Sequence, residues 1–344
     1  MLLPLRLQRL ARLAPPLLYD AMPVFMLHRF AHPDLGVAGV SAAFLRESLT
    51  YLRNEGFCPV SLADLASDPT PRRGGQVPVA FTVDDGYTDF ADIALPVFAE
   101  FNCPVTVFVS SGVIDGDCWY WWDSLRFLFE QSGRPRIEVT VGEVTTNHDL
   151  THRDARERGL LQLIEQCKLV PDTERERLFG ELSMQLDVAL PSAPPPSCET
   201  MSWDAIRSCA AGGIATFGPH TITHASLPMT SDTQAKHEIE GSWARIRQEC
   251  PGAVPVFCYP FGAYSHRDVD ILLGTDMVGA LTTEPAYATR APFSGSGGRG
   301  QFEVPRFGYP DEVLDFRQLA TGLERVKMAI KGGRAGWTAK PTRN

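Results

Sequence analysis

The residues Val77-Pro-Val-Ala-Phe-Thr-Val-Asp-Asp-Gly-Tyr87 decide how the chain is read. Val79 to Val83 is a short apolar run rich in β-branched and aromatic side chains, the composition of a buried strand. It stops at two adjacent acids and a glycine, which is a turn signal. In α/β sheets, chemistry gathers at the carboxyl ends of strands. Two carboxylates at such an end can divide their work, one binding a cation and the other staying free as a base. The same three residues could also cap the next helix, since Asp and Gly favour turns and N-caps. Both readings stand on this stretch alone.

The neighbouring segments supply a frame. Pro23 to Phe30 reads as a first core strand ending at His28, and Pro104 to Ser110 as the strand after Asp84-Asp85. Helical periodicity lies between them. Over Ser41 to Gly56, Phe44, Leu45, Leu49 and Leu52 share one face and Ser41 is a candidate N-cap. Tyr87 to Phe101 reads as a helix interrupted by Pro96. Strand, helix and strand in alternation predict βαβ units and an α/β fold with a parallel sheet or barrel. Val254 to Tyr259, Met277 to Thr283 and Phe302 to Arg306 continue the strands, the last carrying an arginine at its end.

A second motif bears on chemistry. Phe217-Gly-Pro-His-Thr-Ile-Thr-His224 holds two histidines four residues apart. On one helical turn they would converge on a single ion, and neutral imidazoles bind Zn²⁺ well. With an acid from the strand end they would make a His-His-Asp site with open positions. A lone pair at this spacing can equally be two unrelated histidines.

Taken together the motifs resemble a known family. Thr82-Val-Asp-Asp-Gly86 is similar to the T-F-D-D-G motif of the polysaccharide deacetylases, the NodB-like carbohydrate esterases. His220-Thr-Ile-Thr-His224 is similar to their H-S/T-x-x-H motif, and Cys258-Tyr-Pro-Phe-Gly-Ala-Tyr264 to their third motif in its Y-P-F/Y-G form. The resemblance runs from about Val24 to Arg306, nearest the exopolysaccharide deacetylase-like branch. It implies a distorted (β/α) barrel of the NodB-homology type. It further implies a divalent metal on Asp85, His220 and His224, with Zn²⁺ first and Co²⁺, Ni²⁺ or Fe²⁺ able to suit the same ligands. Asp84 would be the general base, the Phe261 backbone N–H an oxyanion donor, and Tyr259 and Pro260 substrate contacts. The products would be acetate and a free amino sugar.

In some exopolysaccharide deacetylases an N-terminal histidine supplies the general acid. His28 is the candidate here, although a histidine hydrogen-bonded at a strand end would look the same. No L-x-x-H segment near the C-terminus competes with it. The commoner third motif, R-x-P-Y-G, has an arginine where Cys258 stands, so the residue that orients Asp84 must come from elsewhere. Arg306 is the candidate, and Arg306→Ala is then expected to lower turnover far more than stability. The aromatic run Cys118-Trp-Tyr-Trp-Trp-Asp123 could place Trp121 and Trp122 against a sugar ring, but an anchor for the following helix is preferred.

The rival functions are a metal-dependent amidase or deformylase of a small or lipid-linked sugar on the same fold, and a non-catalytic glycan-binding protein. Retention of Asp84, Asp85, His220 and His224 speaks against the second. A serine hydrolase is disfavoured because no G-x-S-x-G occurs. With 32 basic and 41 acidic residues in 344, a formal charge of −9, nucleic acid is disfavoured as a partner.

The eight cysteines, Cys58, Cys103, Cys118, Cys167, Cys198, Cys209, Cys250 and Cys258, contain no C-x-x-C and are read as reduced thiols of a cytoplasmic protein. Arg6, Arg9 and Arg12 break the leucine-rich start, so no secretory signal is read there. Residues 1–22 read as an N-terminal amphipathic segment, packed on the domain or lying on a membrane surface through residues 1–18, the former preferred. The catalytic domain is expected over 23–326. Within it lies a helical insertion at about 115–200, closed by the stiff connector Ala189 to Ser197. Gly295 to Gly300 matches G-x-G-x-x-G but neither follows a strand nor opens a helix, so it reads as a flexible loop. Residues 327–344 read as a basic, disordered tail.

Overall fold

The computed structural model describes residues 17–67, 76–294 and 298–332, with side chains as far as 327. The expectations for residues 1–16 and 333–344 lie outside these, as does the first half, 295–297, of the Gly295–Gly300 loop.

Seven parallel strands form an irregular barrel. They are β1 (Val24–Leu27), β2 (Pro78–Asp84), β3 (Val105–Val109), β6 (Ala215–Pro219), β7 (Val256–Cys258), β8 (Gly279–Leu281) and β9 (Phe307–Gly308). Hydrogen-bonded pairing runs β9-β1-β2-β3-β6. Val254 N–H then donates to Phe217 O over 2.8 Å, which passes the ring to the parallel pair β7-β8. A parallel bridge between Leu281 and Val304, just ahead of β9, closes it. Every residue of β2 is buried, which explains its unbroken apolar run. The expected strand at Phe302–Arg306 is displaced. Its pairing residues are Phe307 and Gly308, and Arg306 turns inward instead.

Small and branched side chains such as Val24, Ala80, Val256, Leu281 and Val304 belong to one apolar cluster with Phe108. A larger cluster includes Phe25, Phe81, Val83, Val107 and Phe217 together with residues of the surrounding helices. Helix α1 (Ala42–Asn54) buries Leu45, Leu49 and Leu52, and Ser41 Oγ caps it by accepting from Phe44 N–H over 3.1 Å. The segment after Tyr87 opens as a wide π turn, Phe90–Ala94, before the α-helix Leu95–Glu100. Pro96 has no N–H to give to the first turn, so the break lies where the sequence placed it.

The region after Asp115 differs from the expected helical insertion. Helix α2 (Trp121–Gln131) is followed by a hairpin, β4 (Arg136–Val141) and β5 (Val144–Asp149), and then by α3 (Arg153–Cys167) and α4 (Asp172–Leu186). In β4, Ile137, Val139 and Val141 are buried and the residues between them exposed, the period-two pattern of a half-buried strand. These elements share their own apolar cluster, with Leu125, Leu128, Leu160, Leu163, Leu178 and Leu182. The helix Leu323–Gly332 also runs into the stretch expected to be disordered from 327. No helix among the described residues is long and apolar enough to cross a membrane.

Candidate active site

The two acids at the end of strand β2 go to different partners, because the backbone leaves the strand between them. Asp84 closes the strand and meets Arg306. The guanidinium donates from Nη1 to Oδ1 at 2.7 Å and from Nη2 to Oδ2 at 2.8 Å, a bidentate pair in which both residues are buried. Arg306 is otherwise saturated. Its Nε donates to Thr282 O at 2.9 Å, Nη1 also to Thr82 Oγ1 at 3.0 Å, and Nη2 also to Cys258 Sγ at 3.1 Å. Burial alone would raise the Asp84 carboxyl, but Arg306 overrides it and holds the group far below the usual carboxylate range. Arg306 thus stands beside Cys258, the position at which the commoner third motif carries its arginine.

Asp85 continues in a left-handed conformation, φ 75°, and Gly86 follows at φ 69°. That geometry is costly for a residue with a Cβ. Tyr120 Oη donates to Asp85 O over 2.6 Å and ties the backbone there. The Asp85 carboxylate then lies beside both histidines, with Oδ1 3.7 Å from His220 Nε2 and 3.4 Å from His224 Nε2.

The two histidines are not on a helical turn. The chain after β6 is a loop, left-handed at Thr221 (φ 65°) and His224 (φ 59°), and these two bends bring the rings together at 4.7 Å between centroids. The acid Glu238 on α5 (Asp232–Glu249) holds the loop by accepting from Ile222 N–H at 2.7 Å and Thr223 N–H at 3.0 Å.

The donor set fits a divalent metal. Asp85 Oδ1 is buried and makes no hydrogen bond, an arrangement that costs free energy unless something else binds it. His220 Nδ1 donates to Cys258 O over 2.7 Å, which leaves Nε2 as the lone-pair nitrogen facing Asp85. Burial, together with neighbouring His224, pushes the His220 pKa down to about 4, so the ring is neutral at pH 7. Asp84, His220 and Cys258 also lie close together, but they make a poor set. Arg306 occupies Asp84, and burial raises the Cys258 thiol well above its ordinary value, so it keeps its proton.

A cavity of about 770 Å³ opens over these residues. His28, Asp84, Asp85, His220, His224 and Phe261 form its floor, and Trp122 and Arg126 of α2, Glu157 of α3 and Lys168 just past α3 line one wall. His28 is half-exposed at the end of β1, with Nε2 3.8 Å from Asp84 Oδ2. Phe261, left-handed at φ 58°, packs its ring 4.6 Å from that of His224. Three of the expected substrate contacts are not on the cavity wall. Tyr259 is fully buried and stacks on Tyr264, and Pro260 is buried beside it. Trp121 points into the core of the inserted region, beneath the Arg175 guanidinium.

Asp123 was not singled out by the sequence. It lines the cavity and accepts from Tyr87 Oη at 2.6 Å, and Tyr87 Oη accepts in turn from Trp122 Nε1 at 2.9 Å. Burial pushes its pKa up to about 6, against a smaller lowering by Tyr87. An unfolded Asp titrates near 3.9. Between about pH 4 and 6 the folded chain therefore binds more protons at this site, and stability falls as pH rises through that window. Asp123→Asn, which keeps an acceptor for Tyr87, is expected to melt as the unaltered protein does at pH 4 and at a higher temperature at pH 7. A difference that does not change with pH would show that Asp123 does not titrate in this range.

Known proteins resemble the chain in part of its sequence and in its fold. The sequence model described as Polysaccharide deacetylase matches residues 181–277, which include both histidines and the Cys258–Gly262 motif. No curated protein matches the chain in sequence. In structure it is similar to the Streptococcus pyogenes deacetylase PplD in complex with acetate, at TM-score 0.55 and 14% identity, covering 88% of this chain and 98% of that one. It is likewise similar to the putative polysaccharide deacetylase BA0330 from Bacillus anthracis, at TM-score 0.54, 15% identity and coverages of 88% and 69%. IcaB from Ammonifex degensii gives TM-score 0.53, 16% identity and coverages of 88% and 97%. The chain therefore has the polysaccharide deacetylase fold, and over residues 181–277 it carries that family's sequence signature.

Proposed function

We propose that the protein is a metal-dependent hydrolase that removes N-acetyl groups from the amino sugars of a poly- or oligosaccharide. The observation that carries this reading is the division of labour between two adjacent carboxylates. Asp84 is held ionised by Arg306, and Asp85 is left unpaired beside two imidazoles on a cavity floor.

Asp85, His220 and His224 would hold the cation, which when bound supplies Lewis acidity to the acyl carbonyl and to the attacking water. Asp84 accepts the proton of that water. Arg306 fixes both of its oxygens and keeps it charged at every working pH. The Phe261 N–H, presented by a left-handed residue at the cavity floor, is the donor for the developing oxyanion. His28, half-exposed and with Nε2 3.8 Å from Asp84, delivers a proton to the departing amine.

The test is acetate release from N-acetylated saccharides, polymeric, short and lipid-linked, with Zn²⁺ supplied, then stripped by a chelator and restored. Release that follows the metal supports the reading. A metal-loaded protein that releases nothing from any member would overturn it. The role of His28 has its own signature. An amine leaves poorly without a proton, whereas an activated phenol leaves without help. His28→Ala should slow amide hydrolysis by about 10²–10⁴ while slowing hydrolysis of an activated acetate ester far less. Equal losses on both would remove His28 from that role.

A further inference from the structure

The two histidines of the triad are held by different means. His220 gives its Nδ1 proton to Cys258 O, the usual way in which a ligating imidazole is oriented. His224 has no such support, because its Nδ1 is buried and makes no hydrogen bond. Four rings pack edge-to-face around it instead. Trp122 and Phe261 lie at 4.6 Å between centroids, His220 at 4.7 Å and Tyr120 at 5.6 Å, with interplanar angles between 76° and 89°.

Two of those rings enter from the leading edge of the inserted region. Tyr120 and Trp122 stack on each other at 4.6 Å and 13°, and each is anchored separately. Tyr120 Oη donates to Asp85 O, and Trp122 Nε1 donates to Tyr87 Oη, which is fixed by Asp123. Arg29 lies over the Tyr87 ring at 3.8 Å, while its Nε donates to Asp89 at 2.6 Å. One aromatic pair thus touches two of the three metal-ligand residues, Asp85 through its backbone and His224 through its ring.

We infer that Tyr120 and Trp122 are positioning residues of the metal triad. The stacked pair orients the His224 imidazole by packing and fixes Asp85 in its left-handed conformation, so the inserted region completes the cation site. This goes beyond a substrate platform for Trp122, and it rests on the metal-site reading of Asp85, His220 and His224. Edge-to-face packing restricts a ring as a hydrogen bond does, though with a shallower minimum. Outer partners of metal ligands change affinity by about 10–100-fold when removed.

The experiment is Zn²⁺ affinity, by competition with a chromophoric chelator, for the unaltered full chain and for Trp122→Ala, Trp122→Phe and Tyr120→Phe. The melting temperature of each metal-free protein is measured alongside. Trp122→Ala is expected to weaken Zn²⁺ by about 10–100-fold, and Trp122→Phe, which restores a ring, to recover most of that loss. Tyr120→Phe, which removes one hydroxyl and keeps the stack, is expected to weaken it by about tenfold at a metal-free melting temperature close to that of the unaltered chain. If Trp122→Ala does not fold, the two phenylalanine variants decide. Unaltered affinity in Tyr120→Phe, together with no ring-dependent difference at position 122, overturns the inference while leaving the metal site standing. Absence of Zn²⁺ binding by the unaltered chain overturns both.

Discussion

Asp84→Asn is expected to cut acetate release by about 10²–10⁴-fold per folded molecule, the usual contribution of a positioned proton acceptor. The substitution keeps the shape of the side chain and an oxygen for Arg306, but it removes the charge that makes the group a base. The control is metal binding. Asp84 is engaged by Arg306 through both oxygens, whereas Asp85 is the carboxylate left over for a cation. Asp84→Asn should therefore bind Zn²⁺ and hydrolyse poorly, while Asp85→Ala should lose both. If Asp84→Asn lost the metal and Asp85→Ala kept it, the two roles would have to be exchanged. Some stability is lost as well, because Arg306 gives up half of a buried ion pair. Rates are accordingly normalised to the folded fraction.

Arg306→Ala should destabilise the fold by about 3–5 kcal/mol, the cost of leaving one buried charge without its partner. This revises the expectation that the residue matters mainly for turnover. A guanidinium at the rim would have met it, but Arg306 has no exposed surface and donates to Asp84, Thr82, Thr282 and Cys258. Urea denaturation measures the loss, and its pH dependence identifies the source. The folded pKa of Asp84 is depressed, so the stability that Arg306 contributes through it is complete above the unfolded value near 3.9 and disappears as pH falls below it. The gap between Arg306→Ala and the unaltered protein should narrow below about pH 4. A gap that stays constant down to pH 2 would assign the effect to lost packing. Adding Asp84→Asn to Arg306→Ala should cost little more, because the orphaned charge is then gone.

Much of this is legible in the amino-acid sequence. The run Val79–Val83 suggests a buried strand, and the two acids at its end can divide their work, although a turn capping the next helix reads the same way. Arg306 is a candidate by its place at the end of a strand, because the family resemblance leads one to expect an arginine where Cys258 stands. What escaped the sequence was conformation outside regular elements. Two histidines four apart suggested a helical turn, yet left-handed residues at Thr221 and His224 converge them in a loop, and neither threonine nor histidine advertises a positive φ. Tyr259 and Pro260 are expected sugar contacts by the family resemblance and Trp121 by residue type, but whether a side chain faces a cavity or a core depends on packing between segments remote in sequence. The hairpin Arg136–Asp149 was visible as the alternation of Ile137, Val139 and Val141, and was masked by the charged helices on either side. Asp123 gave no signal, because its importance comes from Tyr87, 36 residues earlier.

The pairing of Asp84 with Arg306 also dates the site within the history of each molecule. The two residues are 222 positions apart, and their strands become near neighbours only when β9 pairs with β1 and the ring closes. A contact of that span forms late, because a large loop must be closed before it is rewarded. Until then the acid at the end of β2 has no guanidinium to keep it charged out of water. A chain still emerging from the ribosome can have β1, β2 and β3 in register and the histidine loop folded, and yet possess no oriented base. On the proposed reading, a chain that lacked Arg306 would have no partner to orient the base, however well the preceding strands had paired.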